Sequence, residues 1–135
     1  MAKVFNKVIY DGATLMDISH DTVTEDTMLA GTTAHGADGT LITGTLGRIL
    51  KFQNVTVPTS AWASDSTYDE YPYRASIALT GVTAAMCPQV YFSMALIDEP
   101  EVTYAPLSET YEGGVYIYAD VIPSAAITIP SIVCM

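Results

Sequence analysis

Two stretches near the C-terminus decide the fold class: Gly114-Val115-Tyr116-Ile117-Tyr118-Ala119 and Ile127-Thr128-Ile129-Pro130. In each of them apolar side chains alternate with Tyr or Thr, which is the two-residue period of a β-strand that turns one face to a core. Isoleucine, valine, tyrosine and threonine also have high strand propensity. Both stretches therefore predict β-strands.

Similar short segments precede these two and are separated from them by Gly, Pro and Asp. The predicted strands of this region span residues 49–57, 73–79, 89–97, 102–106, 114–119 and 126–133. Short strands at this spacing are typical of an antiparallel sandwich or barrel, and we predict a β-sandwich over residues 48–135. Because proline cannot donate a hydrogen bond to a neighbouring strand, Pro123 and Pro130 predict that the last strand is an edge strand or a broken one. We expect Cys87 and Cys134 to be free thiols and Cys87 to be buried.

The first third of the chain, residues 1–47, predicts a small separate module. Residues 4–10 and 14–18 read as two strands joined by Asp11-Gly12, a pair that tolerates the positive φ of tight hairpin turns. Thr22 and Glu25 have the spacing of a capping box, which predicts the start of a short helix ended by Gly31. A second small hairpin is predicted over residues 32–46.

This module has very few apolar residues from which to build a core. The available side chains are mainly Leu15, Ile18, Met28, Leu29, Leu41 and Ile42. So small a core does not offset the loss of chain entropy on folding. We therefore expect neighbouring subunits or a larger surface to stabilise the module, and the candidate partner-binding residues are Met28, Leu29, Leu41 and Ile42.

Composition and charge narrow the possible partners. The chain has 135 residues and a formal net charge of −10, and its five basic residues are dispersed. Nucleic acids and anionic membranes need local positive charge, so we expect neither as a direct partner. The sequence also has no apolar run long enough to cross a bilayer and no signal-peptide core, which predicts synthesis and assembly in a cytoplasm.

No arrangement of residues indicates catalysis, so we predict that the chain is not an enzyme and has no cofactor or metal. His20 lies close to Asp17 and Asp21, but a metal site needs three or more converging ligands, and a solvated turn is the simpler interpretation. His35 is interpreted in the same way. Ser60 and Ser64 lack a nucleophile motif. The acidic loops contain no calcium-binding spacing.

Aromatic residues are concentrated around one loop, where Trp62, Tyr68, Tyr71 and Tyr73 lie close in sequence. Trp62 and Tyr73 would close the ends of the core in the simplest interpretation. Alternatively, Trp62, Tyr68 and Tyr71 are partner-binding residues that pack into another protein or stack on a sugar.

The N-terminal third resembles a module of phage structural proteins. The resemblance lies in Asn6-Lys7-Val8-Ile9-Tyr10-Asp11-Gly12, in Met28-Leu29-Ala30-Gly31-Thr32-Thr33-Ala34-His35 and in Gly39-Thr40-Leu41-Ile42-Thr43-Gly44-Thr45. Such modules recur in tail fibre, tail-tip and head fibre or decoration proteins of phages that infect Gram-positive, often clostridial, hosts.

The C-terminal part is similar, more loosely, to β domains of small virion proteins. The shared features are the start at residues 57–62, Tyr71-Pro72-Tyr73, Gly114-Val115-Tyr116-Ile117-Tyr118-Ala119 and the closing residues 123–130. The two resemblances imply an oligomeric virion component.

We therefore expect a virion structural protein that is assembled in the host cytoplasm and forms a homotrimer. Its N-terminal module would dock on a capsid or tail protein. Head fibre or capsid decoration is favoured, because a chain of this length has no long shaft. The alternative is a tail fibre or tail-tip module that binds a receptor or carbohydrate.

Overall fold

The computed structural model describes residues 3–135 and is mainly β, with several antiparallel sheets and one short α-helix. The chain divides into two compact units, Met1–Arg48 and Ile49–Met135. The boundary expected from the sequence follows Gly47, and the first two residues of the expected module lie outside the described residues.

The N-terminal unit begins with the predicted hairpin. Strand β1 (Lys7–Tyr10) pairs antiparallel with β2 (Ala13–Asp17), and a bulge interrupts the register between Val8 and Ile9. The turn residues Asp11 and Gly12 have φ angles of 47° and 74°. Positive φ at both central residues is the geometry that matches the twist of a two-residue hairpin, which explains the Asp-Gly pair.

The predicted short helix is a single 3-10 turn, Glu25–Thr27, and its N-cap is Thr24 instead of Thr22. The Thr24 N–H donates to Thr27 Oγ1 at 2.9 Å, so Thr27 takes the role predicted for a glutamate. Strands β3 (Thr33–His35) and β4 (Leu41–Thr43) form the second predicted hairpin. Outside these strands, Leu29 and Leu46 form an isolated parallel bridge.

Backbone contacts hold this unit together more than side chains do. Its buried positions are Met28 and the three glycines Gly36, Gly39 and Gly44. The Gly44 N–H donates to the Thr32 carbonyl at 2.7 Å. A Cβ at position 44 would overlap the carbonyl oxygens of Met28 and Leu29, so only glycine allows these segments to approach.

The C-terminal unit contains two antiparallel sheets. Its strands are β5 (Leu50–Val57), β6 (Trp62–Ser64), β7 (Tyr73–Ala78), β8 (Pro88–Tyr91), β9 (Tyr104–Tyr111), β10 (Gly114–Ala119) and β11 (Ile127–Cys134). One sheet has the order β6-β7-β10-β9, and the other has the order β5-β11-β8. A 3-10 turn, Thr59–Ala61, precedes β6, and helix α1 (Met94–Ile97) follows β8.

The core of this unit draws side chains from both sheets. Val115, Ile117 and Ala119 of β10 are at most 1% exposed, and so are Ile129 and Ile132 of β11. All five belong to one cluster of buried residues. The apolar residues of β10 therefore lie in this cluster, as the alternation in its sequence predicts.

Strand β11 was predicted to be an edge strand or a broken one. In the described chain it has β5 as its one neighbour over residues 127–129, but it lies between β5 and β8 over residues 131–134, so the edge prediction is wrong for its second half. Pro130 fits into this strand because of its position relative to the two neighbouring strands. Pairing with β8 begins only at Ser131, and on the β5 side Pro130 stands opposite Asn54, whose φ is 51°. The missing N–H of Pro130 therefore falls where the strand ladders are interrupted.

Three further predictions were wrong in detail. The segment 89–97 is a strand only as far as Tyr91 and then becomes helix α1, which is capped by the Ser93 hydroxyl. Strand β9 runs beyond Pro106 to Tyr111, because its later residues pair with β10. Cys87 is exposed, and Cys134, at 0% exposure, is the buried thiol.

We expect Gly44→Ala to destabilise the N-terminal unit by about 1–3 kcal/mol, because the added methyl group has no space. Gly47→Ala is the matched control, since a Cβ there has nothing within 4 Å. Limited thermolysin digestion followed by mass spectrometry should show about tenfold faster cleavage within residues 1–48 of Gly44→Ala. Equal cleavage rates in the two variants would contradict this account of the unit.

Candidate binding surfaces

The N-terminal unit exposes many of its large apolar side chains. All nine residues of β1 and β2 are exposed, so neither face of the hairpin is covered. The large apolar side chains of the unit that are at least 40% exposed are Val4, Phe5, Val8, Ile9, Tyr10, Leu15, Met16, Leu29, Leu41 and Leu46. Where exposed apolar side chains form a contiguous patch they mark a binding site, so these residues are candidates for contact with a partner.

The four partner-binding residues predicted in this unit have different environments. Leu29 and Leu41 are 44% and 64% exposed and are available to a partner. Ile42 is half-buried opposite Ala34. Met28 is only 8% exposed and is therefore the side chain around which the unit packs.

Sequence reasoning missed the exposure of the first hairpin. Ile9, Tyr10 and Leu15 are 59%, 73% and 66% exposed. Apolar alternation predicts that one face of a strand is buried, but it does not say whether the covering partner belongs to the same chain. The small number of other apolar residues in the unit was the only sign that the covering partner is not part of the same chain.

The charged side chains of Lys7 and Asp17 in the hairpin interact with nearby residues. Lys7 Nζ lies 3.0 Å from a carboxylate oxygen of Asp17, its cross-strand partner. The Asp17 carboxylate also accepts hydrogen bonds from the hydroxyl and the backbone N–H of Ser19. The hydroxyl bond, followed by the bond from Lys7 and then the Ser19 backbone bond, lowers the pKa of Asp17 well below its ordinary value. Within residues 3–135, no group of three or more histidine, cysteine or acidic residues is arranged to hold a metal ion.

The aromatic residues of the β6–β7 region do not form one exposed cluster. Trp62 is 7% exposed and lies in the core, where its ring is 6.3 Å from that of Tyr104. Tyr73 is half-buried and packs against the same core. Tyr71 is also half-buried, and its N–H donates to the Tyr68 carbonyl at 3.1 Å.

Tyr68 connects the β6–β7 loop to the four-stranded sheet through a hydrogen bond. Its hydroxyl donates to Glu109 Oε1 at 2.8 Å, and the hydroxyl of Tyr118 donates to Glu109 Oε2 at 2.6 Å. The two tyrosine rings meet edge to face, with centroids 4.9 Å apart. Burial, followed by the hydrogen bond to Glu109, raises the pKa of Tyr118, whose side chain is 1% exposed.

A groove of about 790 Å³ lies between strands β8 and β9 of the C-terminal unit. Residues 88–92 and 103–108 line it, together with Ile97, and none of them is acidic or basic. Phe92 and Tyr104 stack in its wall with ring centroids 4.9 Å apart. Tyr91, Ile97 and Leu107 are 52%, 60% and 37% exposed, so the groove is a second uncovered surface.

Comparison with protein-family models, curated proteins and solved structures finds no match for this chain. In the described part of the chain, no helix has the length and apolar character needed to cross a membrane.

We expect the raised pKa of Tyr118 to make stability fall above about pH 10. Unfolded tyrosine ionises there while folded Tyr118 keeps its proton, so the folded state binds more protons and loses stability as the pH rises. Urea titrations of the wild type and Tyr118→Phe between pH 7 and 11.5 test this. The variant should show the shallower fall above pH 10, whereas parallel curves over the whole range would contradict a buried, protonated Tyr118.

Proposed function

We propose that the chain is a non-enzymatic structural protein of a bacteriophage particle, assembled in the host cytoplasm. In this proposal it is a capsid decoration or head fibre protein whose N-terminal unit docks on another particle protein. The observation that carries the proposal is the exposed apolar surface of the N-terminal unit. The sequence resemblance to phage structural modules supplies the kind of partner.

The contrast between the two units supports a docking role. The C-terminal unit has a continuous buried core, whereas Met28 is the one apolar side chain of the N-terminal unit, among those described, that is below 9% exposure. Burying a leucine fully is worth roughly 1.5–3 kcal/mol. Leu29, Leu41 and Leu46 together therefore offer a partner a substantial binding free energy.

We also propose that the two sheets of the C-terminal unit pack face to face as an antiparallel β-sandwich. Support comes from the single buried cluster, which takes Ala75 and Ile117 from one sheet and Val57 and Ile129 from the other. A compact sandwich of this kind would project from the particle or pack around a symmetry axis while the N-terminal unit is docked.

The proposed assembly is a homotrimer. Cyclic symmetry gives every copy an equivalent neighbour, so each weakly cored N-terminal unit gains the same cover. The exposed hairpin β1–β2 is the natural element for this contact, because an isolated two-stranded hairpin is at best marginally stable in water.

The alternative proposal is a tail fibre or tail-tip module that binds a receptor or carbohydrate. It relies on an accessible aromatic surface around Trp62, Tyr68 and Tyr71. Trp62 is buried and the Tyr68 hydroxyl is bonded to Glu109, so the aromatic surface there is small. The docking proposal therefore has more support.

Docking is tested by co-sedimentation of the tagged full chain with particles of the phage that encodes it. We expect Leu29→Asp and Leu41→Asp each to reduce the number of bound copies by about tenfold or more, because each places a charge in an apolar contact. Val121→Asp is the matched control, since Val121 is 47% exposed and belongs to the C-terminal unit. Unchanged binding of both leucine variants, or equal loss in the Val121 variant, would contradict docking through the N-terminal unit.

A further inference from the structure

The groove of the C-terminal unit is bounded by two strand edges. Strand β8 has β11 as its one sheet neighbour, and β9 has β10. Within residues 3–135 the two strands are not paired with each other, although both line the groove. Consecutive residues of both strands line the groove. A single face of a strand would supply only every second residue, so the backbone edges of the strands form the walls.

The hydrogen-bond pattern of β8 shows which of its backbone groups face the groove. Cys87 and Met135 exchange both of their backbone hydrogen bonds, at 2.8 and 3.1 Å. Bonded pairs alternate along an antiparallel ladder, so Gln89 and Tyr91 also bond to β11. The N–H and C=O of Val90 therefore point away from β11 into the groove. Pro88 stands at an equivalent position, where no donor to β11 is needed.

The alternation of bonded pairs also shows which backbone groups of β9 face the groove. The two-residue turn Glu112-Gly113 makes Tyr111 and Gly114 a bonded pair, so Ser108 and Thr110 direct their backbone groups away from β10. The side chain of Thr110 donates to the Met86 carbonyl at 2.6 Å, which places that part of the edge beside another segment of the chain. The backbone of Ser108 lies at the groove.

An exposed strand edge with apolar walls suits an added β-strand, because main-chain hydrogen bonds give affinity and side-chain pockets give specificity. Strand β1 has the required properties. It has four residues, as β8 does, and it has a single neighbour, β2. Val8, Ile9 and Tyr10 are 40%, 59% and 73% exposed and lack a cover in their own unit.

Charge also favours β1 as the added strand. The C-terminal unit carries nine acidic residues against Lys51 and Arg74, so an acidic strand would be repelled. Strand β1 contains no acidic residue, and its one charged side chain, Lys7, is paired with Asp17, so β1 brings no unpaired negative charge to the groove. By contrast, β2 carries Asp17, and β4 keeps Ile42 half-buried within its own unit.

We propose that β1 of one copy adds to the free edge of β8 in a second copy and places its apolar side chains in the groove beside Leu107. This contact is head to tail, and it closes into a ring when the rotation between copies allows, as in the proposed trimer. The inference rests on the proposed self-assembly, and it is tested on the purified full chain without particles, so a failure of particle docking leaves it unaffected.

The experiment is disulfide trapping between copies in a Cys87→Ser background, where the remaining Cys134 is buried. Ile9→Cys chains with one tag are mixed with Leu107→Cys chains with another and are mildly oxidised. Because each chain has one new thiol, a mixed disulfide must join two copies. The control partner is Val121→Cys, which is 47% exposed and does not line the groove.

We expect the Ile9–Leu107 disulfide to form at least about ten times faster than the Ile9–Val121 disulfide, because strand addition raises the local thiol concentration. Equal rates would overturn the proposal. A predominance of Leu107–Leu107 disulfides would also overturn it, because it would indicate that two grooves face each other. Circular dichroism of each variant confirms that the comparison is made on folded chains.

Discussion

The uneven burial of apolar side chains is the constraint on which the rest of the structure depends. Of the seventeen apolar residues that are buried in the described chain, sixteen lie in Ile49–Met135 and only Met28 lies in the N-terminal unit. Since apolar burial is the dominant favourable term in folding, the C-terminal unit has its own source of stability. The N-terminal unit relies on close backbone approaches at Gly39 and Gly44 and on short hairpins, which contribute much less.

A unit that buries few apolar side chains and exposes many gains stability when a partner covers the exposed ones. This gain connects the fold of the N-terminal unit with its proposed docking role. In the proposed role, Leu29 and Leu41 would contact a particle protein, and the hairpin β1–β2 would contact a second copy. The two surfaces use different strands, so docking and self-assembly need not compete. In the C-terminal unit, the uncharged groove between β8 and β9 is the corresponding open surface, within a unit that is otherwise strongly acidic.

Much of the strand pattern follows from local sequence, because period-two alternation and turn residues act over a few positions. Asp11-Gly12 predicted the first hairpin, and the alternation in Gly114–Ala119 predicted β10. The order of the strands in the sheets could not be predicted from local sequence. Pro130 predicted an edge strand, but the sheet accepts a proline there because Pro130 stands opposite Asn54, which has a positive φ and belongs to a strand distant in sequence. The burial of Trp62 and Cys134, and the exposure of Ile9, likewise depend on which segments pack together, and residue type alone does not specify that.

We expect the N-terminal unit to be only marginally stable until a partner covers it. Amide hydrogen exchange measured by mass spectrometry on the full chain, first in dilute solution and then in its assembled form, tests this most directly. The account predicts that β1 and β2 exchange rapidly in dilute solution while β10 and β11 are strongly protected, and that assembly protects β1 and β2. Protection of the hairpin in dilute monomer that equals the protection of β10 would contradict the claim.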